Sequence, residues 1–434
     1  MLFGLPPIHA DIVDYTARAA IVEGYNSNVY QDVDPNNVQY ARRHPSLFTG
    51  IDGTVQMRVT GKTDTVHDFR LGARVQHYEL SSPNPIDDDG SVFASISSKS
   101  PISKRWRVYG MSIGTITSAN SSHISDGTLL LDPTTSRRTY YLLLSDVGFY
   151  YDISPTTRWL QRAGLSMTGT FSAAPIDASA AAAQLAAPHA FDAVTPEVEA
   201  YIFKDHSDRL MSEFRARVKD TYTPQIIDLR TLQPISGASY LWGVTGSYGL
   251  QYKITPDLMN RTIVGASLSA APPIPGQPTT PILSPLLQDQ LYYTTEFYYL
   301  AATAGYDYGS VNPRFGFGPT FTVGLNSYGQ PYRIGKWRNF AVMANAALAR
   351  SSVTTTGNNA QHIDFYDVGI QFRYGVNKWL GLTWGYDFRD AFIQGPGSVP
   401  VLRHVAFFGL SGYWSTDPEA PPLTAFRPPI VPPS

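Results

Sequence analysis

The sequence predicts an all-β protein, a transmembrane antiparallel β-barrel of 16 to 18 strands with short periplasmic turns and long extracellular loops. Three observations predict it. First, apolar and polar residues alternate in blocks of about ten. Leu47, Ile51, Val55, Met57 and Val59 share one phase, and Phe48, Asp52, Gln56 and Arg58 share the other. Successive strand side chains point to opposite faces, so each block is a ribbon with one greasy and one wet side. Second, no stretch approaches the ~20 apolar residues of a membrane-spanning helix. Third, charged residues make up 16% and aromatics 13%, with 27 Tyr and 35 Gly. A soluble domain carries about a quarter charged residues, whereas aromatic girdles and crowded glycines suit a barrel in lipid.

Taken in order, ribbons are expected at Ala17–Gln31, Leu47–Thr60, Thr65–Leu80, Ser91–Ser98, Lys104–Ala119, Thr139–Asp152, Arg158–Ser172, Val198–Lys204 and Arg209–Asp220. They continue at Ala238–Ile254, Arg261–Ala270, Gln288–Ala302, Arg314–Leu325, Trp337–Ser351, His362–Gly375, Trp379–Phe392 and Val401–Trp414. That makes seventeen, with Ser91–Ser98 and Val198–Lys204 the weakest. A single-chain bacterial barrel has an even number, so one assignment is wrong, and the trouble is expected between Ala271 and Lys336. Gly61–Asp64, Asp152–Thr157, Thr255–Asn260 and Gly375–Lys378 carry the Gly, Pro, Asn and Asp of tight turns. Asp32–Pro45, Ser81–Gly90, Asn120–Arg138 and Ala173–Glu197 read as long outer loops.

The chain divides into an N-terminal periplasmic segment (1–16), the barrel (17–414) and a Pro-rich periplasmic tail (415–434). Within the longest loop, Asp177 to Ala187 is Ala-rich, opens on an N-cap residue and stops at Pro188, which predicts a short helix. Two placements stand for it. It folds into the lumen as a constriction, with Asp177 and Gln184 presented there, or it lies over the barrel mouth. The tail from Asp417 is too rich in proline to extend a sheet. It is read as an extended tether for a periplasmic partner or as simply disordered. The first ten residues lack the basic start and apolar core of a secretory signal. The numbering is therefore expected to describe a mature or re-engineered chain, and a protein that never leaves the cytoplasm is the alternative.

The alternation also assigns the faces. Arg58, Arg70, Arg74, Arg162, Arg215, Arg217, Arg373 and Arg389 all lie on the polar phase, as do Lys219 and Lys253. On the strands that can be phased they outnumber Asp52, Asp367 and Asp387. The pore-lining set is thus Arg58, Arg70, Arg74, Arg162, Arg215, Arg217, Lys219, Arg373 and Arg389. A lumen lined in this way lowers the barrier for anions and holds carboxylate or phosphate groups bidentately. The competing reading is that these arginines pair with loop carboxylates that fold inward, such as Asp87, Asp88, Asp89 or Glu199. A soluble sandwich or propeller also alternates, but its wet face is charged rather than rich in Gly, Ser, Thr and Arg.

Catalytic patterns are weak. Lys204, Asp205, His206, Ser207 and Asp208 form the densest cluster of acid–base groups, and a solvated turn explains it. His67–Asp68 and Asp364–Asp367 read in the same way. No G-x-S-x-G element or metal-spaced His pair appears. Asp87-Asp88-Asp89-Gly90 has oxygens for calcium but lacks the spacing of a calcium loop. Gly316-x-Gly318 has no following helix. No cofactor and no metal are expected. The chain has no cysteine, which removes thiol chemistry and disulfides, and its net charge of −2 gives no pull toward nucleic acid.

Glu23-Gly24-Tyr25-Asn26-Ser27-Asn28-Val29-Tyr30 resembles the first strand and loop entry of the β-barrel porin type-two group of bacterial outer-membrane proteins. Tyr366 to Tyr374, then Trp379 to Leu382 and Gly385 to Arg389, are similar to that group's final hairpin. His404 to Trp414 resembles a C-terminal insertion signal, although a Pro-rich tail follows it. The resemblance covers the two ends of the chain and little of the middle. It implies a Gram-negative outer-membrane barrel, commonly associated with exopolysaccharide production, with no catalytic residues to transfer.

The function expected from the sequence is an outer-membrane channel, not an enzyme. It passes polar, anionic solutes or an exported polysaccharide. The alternative is a structural or partner-binding barrel with a plugged lumen, and a third reading, a rim enzyme, lacks a converged cluster. The expected partners are outer-membrane lipid and a periplasmic protein on the tail, with no nucleic acid. The oligomeric state is open.

Overall fold

A computed structural model describes residues 10–27, 46–61, 63–79, 88–118, 139–171, 193–223, 226–227, 234–236, 239–270, 281–295, 297–309, 318–329, 340–354, 360–394 and 400–416. Its first nine strands are β1 (Ala10–Asn26), β2 (Ser46–Gly61), β3 (Val66–Tyr78), β4 (Asp88–Pro101), β5 (Trp106–Ser118), β6 (Thr139–Ser154), β7 (Thr157–Phe171), β8 (Ala193–Asp205) and β9 (Leu210–Thr223). A two-residue strand β10 (Ile226–Ile227) and β11 (Pro234–Ser236) form a small separate hairpin. Then come β12 (Ser239–Lys253), β13 (Leu258–Ala270), β14 (Ile282–Thr294), β15 (Tyr298–Gly309) and β16 (Gly318–Gly329). The last four are β17 (Phe340–Thr354), β18 (Ala360–Gly375), β19 (Leu380–Gln394) and β20 (Pro400–Ser415).

Setting aside the small hairpin, each strand pairs antiparallel with its sequence neighbours, and β20 returns to pair with β1. The sheet is an 18-stranded closed barrel. Ala17 stands opposite Trp414 and Asn26 opposite Val405 along the closing seam. Thr416 N–H donates to the Tyr15 carbonyl at 2.9 Å, and Tyr15 N–H donates back to Thr416 Oγ1 at 2.8 Å. Closure leaves no unpaired edge, which is what a sheet needs in hydrocarbon.

The parity error sits in the region where it was expected. The Gln288–Ala302 ribbon is two strands, β14 and β15, joined by a turn at 295–297. This turn contains no glycine, proline or asparagine. Instead the Thr295 hydroxyl accepts from the Phe297 and Tyr298 N–H groups at 3.3 and 3.0 Å, while Thr295 N–H donates to the Tyr298 carbonyl at 2.8 Å. The same four-residue device recurs on this rim at Ser103, Ser207, Thr255 and Asn377. Each side-chain oxygen takes the backbone N–H groups two and three residues ahead. A short polar side chain at the first position replaces the conformational freedom of glycine. At Gly61–Thr65 the turn uses Asp64 with φ 57°, the one positive-φ residue other than glycine among those described.

Further boundaries differ, among them β4, which runs Asp88–Pro101 rather than Ser91–Ser98 and so places Asp88 and Asp89 on a strand instead of in the preceding loop. β1 begins at Ala10, inside the segment assigned to the periplasm, and stops at Asn26 rather than Gln31. β8 begins at Ala193 rather than Val198, which brings Glu197 onto the same strand as Glu199. The Asp177–Ala187 helix, with Asp177 and Gln184, and the Pro-rich tail beyond Thr416 fall outside the described residues.

The outer face is apolar and bare. Ile51, Leu71 and Val147 are each close to 60% exposed, and Val55, Val218 and Val264 are also exposed. Aromatics gather toward the strand ends. Trp106, Tyr151, Phe149 and Trp159 cluster beside the short turns, with Trp106–Tyr151 centroids 4.4 Å apart. Tyr222 and Tyr240 meet at 4.8 Å near the long-loop end. Rings with polar tips at both ends of an apolar band mark the two interfaces of a bilayer. The register makes this testable on neighbours. Val55→Arg should cost the folded barrel about 2–4 kcal/mol in lipid, and Thr54→Arg, one residue away and facing inward, should cost far less. Urea unfolding in vesicles reads the difference, and equal costs would contradict the facing.

Candidate functional site in the barrel lumen

The inner wall is polar and charged, and its charges are organised. On β6 to β9 the inward residues include Asp146, Arg162, Glu197, Glu199, Tyr201, Arg215, Arg217 and Lys219. Arg162 sits among three carboxylates: Asp146 at 3.0 Å, Glu197 at 2.7 Å and Glu199 at 3.3 Å. Glu199 is 1% exposed. It also pairs with Arg215 and accepts the Tyr201 hydroxyl at 2.6 Å, while the Arg215 guanidinium lies over the Tyr201 ring at 5.3 Å. Guanidinium groups and a hydroxyl take the place of the water this enclosed carboxylate has lost.

Two more ion pairs reach beyond adjacent strands. Arg261 on β13 holds Glu213 on β9 through contacts of 2.6 to 3.1 Å, across the inner face of β12. Arg217 on β9 reaches Asp307 on β15 at 3.2 Å. Four strand steps of roughly 4.8 Å separate these two strands along the wall. The contact therefore needs a tight inward bend over β12 to β14. Those strands present Gly243, Thr245, Ser247, Gly265, Ser267, Ser269 and Ser284 at the bend, and Thr245, Ser267 and Ser269 are fully covered. Small side chains leave room for the wall to bend.

The predicted pore-lining residues fall as follows. Arg58 grips Asp68 at 2.8 and 3.2 Å near the short-turn rim. Arg70 faces inward and is exposed, with only Gln56 at 3.5 Å. Arg74 lines a lumenal cavity. Arg162, Arg215 and Arg217 belong to the network above. Lys219 stands opposite Glu197 in register and Arg373 opposite Thr383. For Arg389 the register alone is described, opposite Asp367 and Arg403. Among the described residues Arg18, Arg70, Lys219 and Arg373 have no carboxylate within ion-pair distance.

The structure corrects where the counter-charges come from. Glu199 is a strand residue, and the other carboxylates that pair with these arginines, Asp146, Glu197, Glu213 and Asp307, are strand residues too. The signal was present as Glu197-x-Glu199, which shares a phase with Tyr201 and Phe203. A ribbon that begins at Val198 leaves Glu197 in the preceding loop. Of the Lys204–Asp208 cluster, Asp205, His206, Ser207 and Asp208 line one cavity at the short-turn rim with Arg105, Arg107, Arg158 and Lys253; there Asp205 pairs with Arg158 at 3.4 Å, Ser207 caps its turn, and His206 Nε2 meets Ser212 Oγ at 2.8 Å. Asp364 holds Arg350 at 2.5 Å, and His67 meets Ser98 at 2.9 Å.

A closed, even-stranded barrel with a bare apolar exterior, two aromatic girdles and a charged interior has one stable setting. It is an outer-membrane barrel. No protein-family model matches the chain, and no curated protein matches it. The resemblance to the porin type-two group thus has no matching family model behind it, and what holds of it is the outer-membrane barrel class. Among solved structures the chain is similar to OccAB4 of Acinetobacter baumannii at 8% identity, covering 94% of this chain and 100% of that one with a TM-score of 0.43. It is similar to the outer membrane protein OpdK of Pseudomonas aeruginosa at 11% identity, covering 92% and 99% with a TM-score of 0.41. The copper transporter OprC matches at 9% identity, covering 94% and 82% with a TM-score of 0.44.

Proposed function

We propose that the barrel is a channel for small polar solutes, with a modest preference for anions. The observation that carries this reading is the unequal pairing of the inner wall. Most of its arginines are matched by strand carboxylates; among the described residues Arg18, Arg70, Lys219 and Arg373 have no carboxylate within ion-pair distance, against Asp14 and Asp52 as inward carboxylates with no cation within it. Matched pairs supply polarity and fix the bore, whereas unmatched cations set the sign of the field in the lumen. The reversal potential under a salt gradient tests this. Arg70→Glu should move it toward cations by more than Arg58→Glu does, because Arg58 is already matched by Asp68. Equal or absent shifts would overturn the reading.

Passage of an exported polysaccharide asks for a continuous wide bore, and the Arg217–Asp307 strut narrows one side of it. A second reading, a plugged or structural barrel, draws on two apolar clusters that cover parts of the inner wall. Phe48, Tyr78 and Val405 form one, and Leu160, Tyr201, Phe203 and Met211 the other. Absence of any ion current through folded protein would favour that second reading.

A further inference from the structure

We propose that the outer face of β13 to β15 is a contact surface between two copies of this chain, which pair in the membrane about a two-fold axis. The inference concerns the lipid side of the wall and does not depend on whether the lumen conducts.

Asp289 on β14 carries it. Leu287 and Tyr293 share its phase and are exposed on the outer face, whereas Leu286 on the other phase is buried. Asp289 is itself exposed and so points toward lipid. It stands four residues from Tyr293, roughly 13 Å along the strand, with Leu291 between them. Its neighbours in the same row are Thr262 on β13 and Ala304 on β15. The carboxylate therefore lies within the apolar band, beyond the ring that marks the interface. An ionisable side chain at that depth calls for a protein partner.

Only part of that need is met within the chain. Asp289 Oδ1 accepts from Thr262 Oγ1 at 2.6 Å and from Asn260 Nδ2 at 3.1 Å. Asp289 Oδ2 accepts from no described residue. The second hydrogen of the Asn260 amide reaches only the Gln290 carbonyl at 3.5 Å, the outer limit of a hydrogen bond. The patch thus holds a spare acceptor and a spare donor side by side. A two-fold axis beside Asp289 brings the Asn260 amide of each copy to the Asp289 Oδ2 of the other. That is the self-complementarity an isologous contact requires.

Small residues keep the approach open. Ala304 stands opposite Asp289 and Ala302 opposite Leu291, so β15 presents methyl groups where large side chains would hold two barrels apart. Lipid supplies no substitute. Acyl chains have no donor, and headgroups lie outside the hydrocarbon core, on the far side of Leu291 and Tyr293. A patch that supplies both halves of the hydrogen bond needs no foreign chain.

The test combines sedimentation of the full chain in a mild detergent with crosslinking in outer membranes. Wild-type protein should sediment as a pair of barrels. Asp289→Leu, which puts an apolar side chain on the lipid face, should sediment as a single barrel. The chain has no cysteine, so a single introduced one reports without background. Ala304→Cys should crosslink to a second copy through a short bismaleimide. Ala94→Cys, exposed on β4 at the other side of the barrel, should not. Wild-type protein that sediments as a single barrel overturns the proposal without any variant having to fold. A trimer overturns it too, since a ring of three needs two different patches on each barrel. Pairs that survive Asp289→Leu, equal crosslinking from positions 304 and 94, or capture of a different protein at position 304 would each do the same.

Discussion

Glu199→Gln should lower the stability of the barrel by about 3–5 kcal/mol, the cost of removing one partner from a buried pair and leaving the other charge uncompensated. Arg215 pairs with Glu199, which is itself fully covered, and Arg162 loses one of its three carboxylates. Glu197→Gln is the control. Glu197 is more exposed, and Arg162 keeps Asp146 and Glu199 when it is lost, so the cost should stay near the ~0–1 kcal/mol of an open pair. Urea titration followed by tryptophan fluorescence reads both. If the two variants lose equal stability, Glu199 is not the buried hub described here. Pairing Glu199→Gln with Arg215→Gln should recover part of the loss, because the stranded charge goes with its partner.

Breaking the strut between β9 and β15 should enlarge the bore. Asp307→Asn or Arg217→Gln frees two strands that lie four steps apart on the wall, and the bend over Thr245, Ser267 and Ser284 then has nothing to hold it closed. Single-channel conductance should rise in either variant. The exchanged pair, Arg217→Asp with Asp307→Arg, should return it toward the original value. A double-mutant cycle on stability should give a coupling of about 0.5–3 kcal/mol, the range for residues in direct contact. Conductance unchanged by all three would mean that the strut sits off the conducting path.

Much of the fold was legible because the period-two code is an energetic constraint. A slip of one residue would carry Arg58, Arg74, Arg162, Arg215 and Arg217 to the lipid side, so the phase of each strand is fixed by its own sequence. Turns were legible where glycine, proline or asparagine marked them, as at Gly61–Asp64 and Gly375–Lys378. The turn at 295–297 was not, since a threonine hydroxyl does the work of a turn residue inside a run of tyrosines. Facing within a strand is local information. Pairing is not local. Arg217 meets Asp307 ninety positions away, and Arg261 meets Glu213 across an intervening strand. No spacing rule in one dimension encodes a bend that folds the wall over its small residues. For the same reason the sequence leaves open whether the arginines stand free or are paired by inward-folded loop carboxylates, and in three dimensions Arg58, Arg162, Arg215 and Arg217 pair with carboxylates on strands.

The central claim is that this chain forms a conducting barrel through a membrane. Single-channel recording of the purified, folded protein in a planar bilayer under a salt gradient tests it most directly. The account predicts discrete, steady current steps with a reversal potential displaced modestly toward anions. A folded barrel that inserts and passes no current would contradict it.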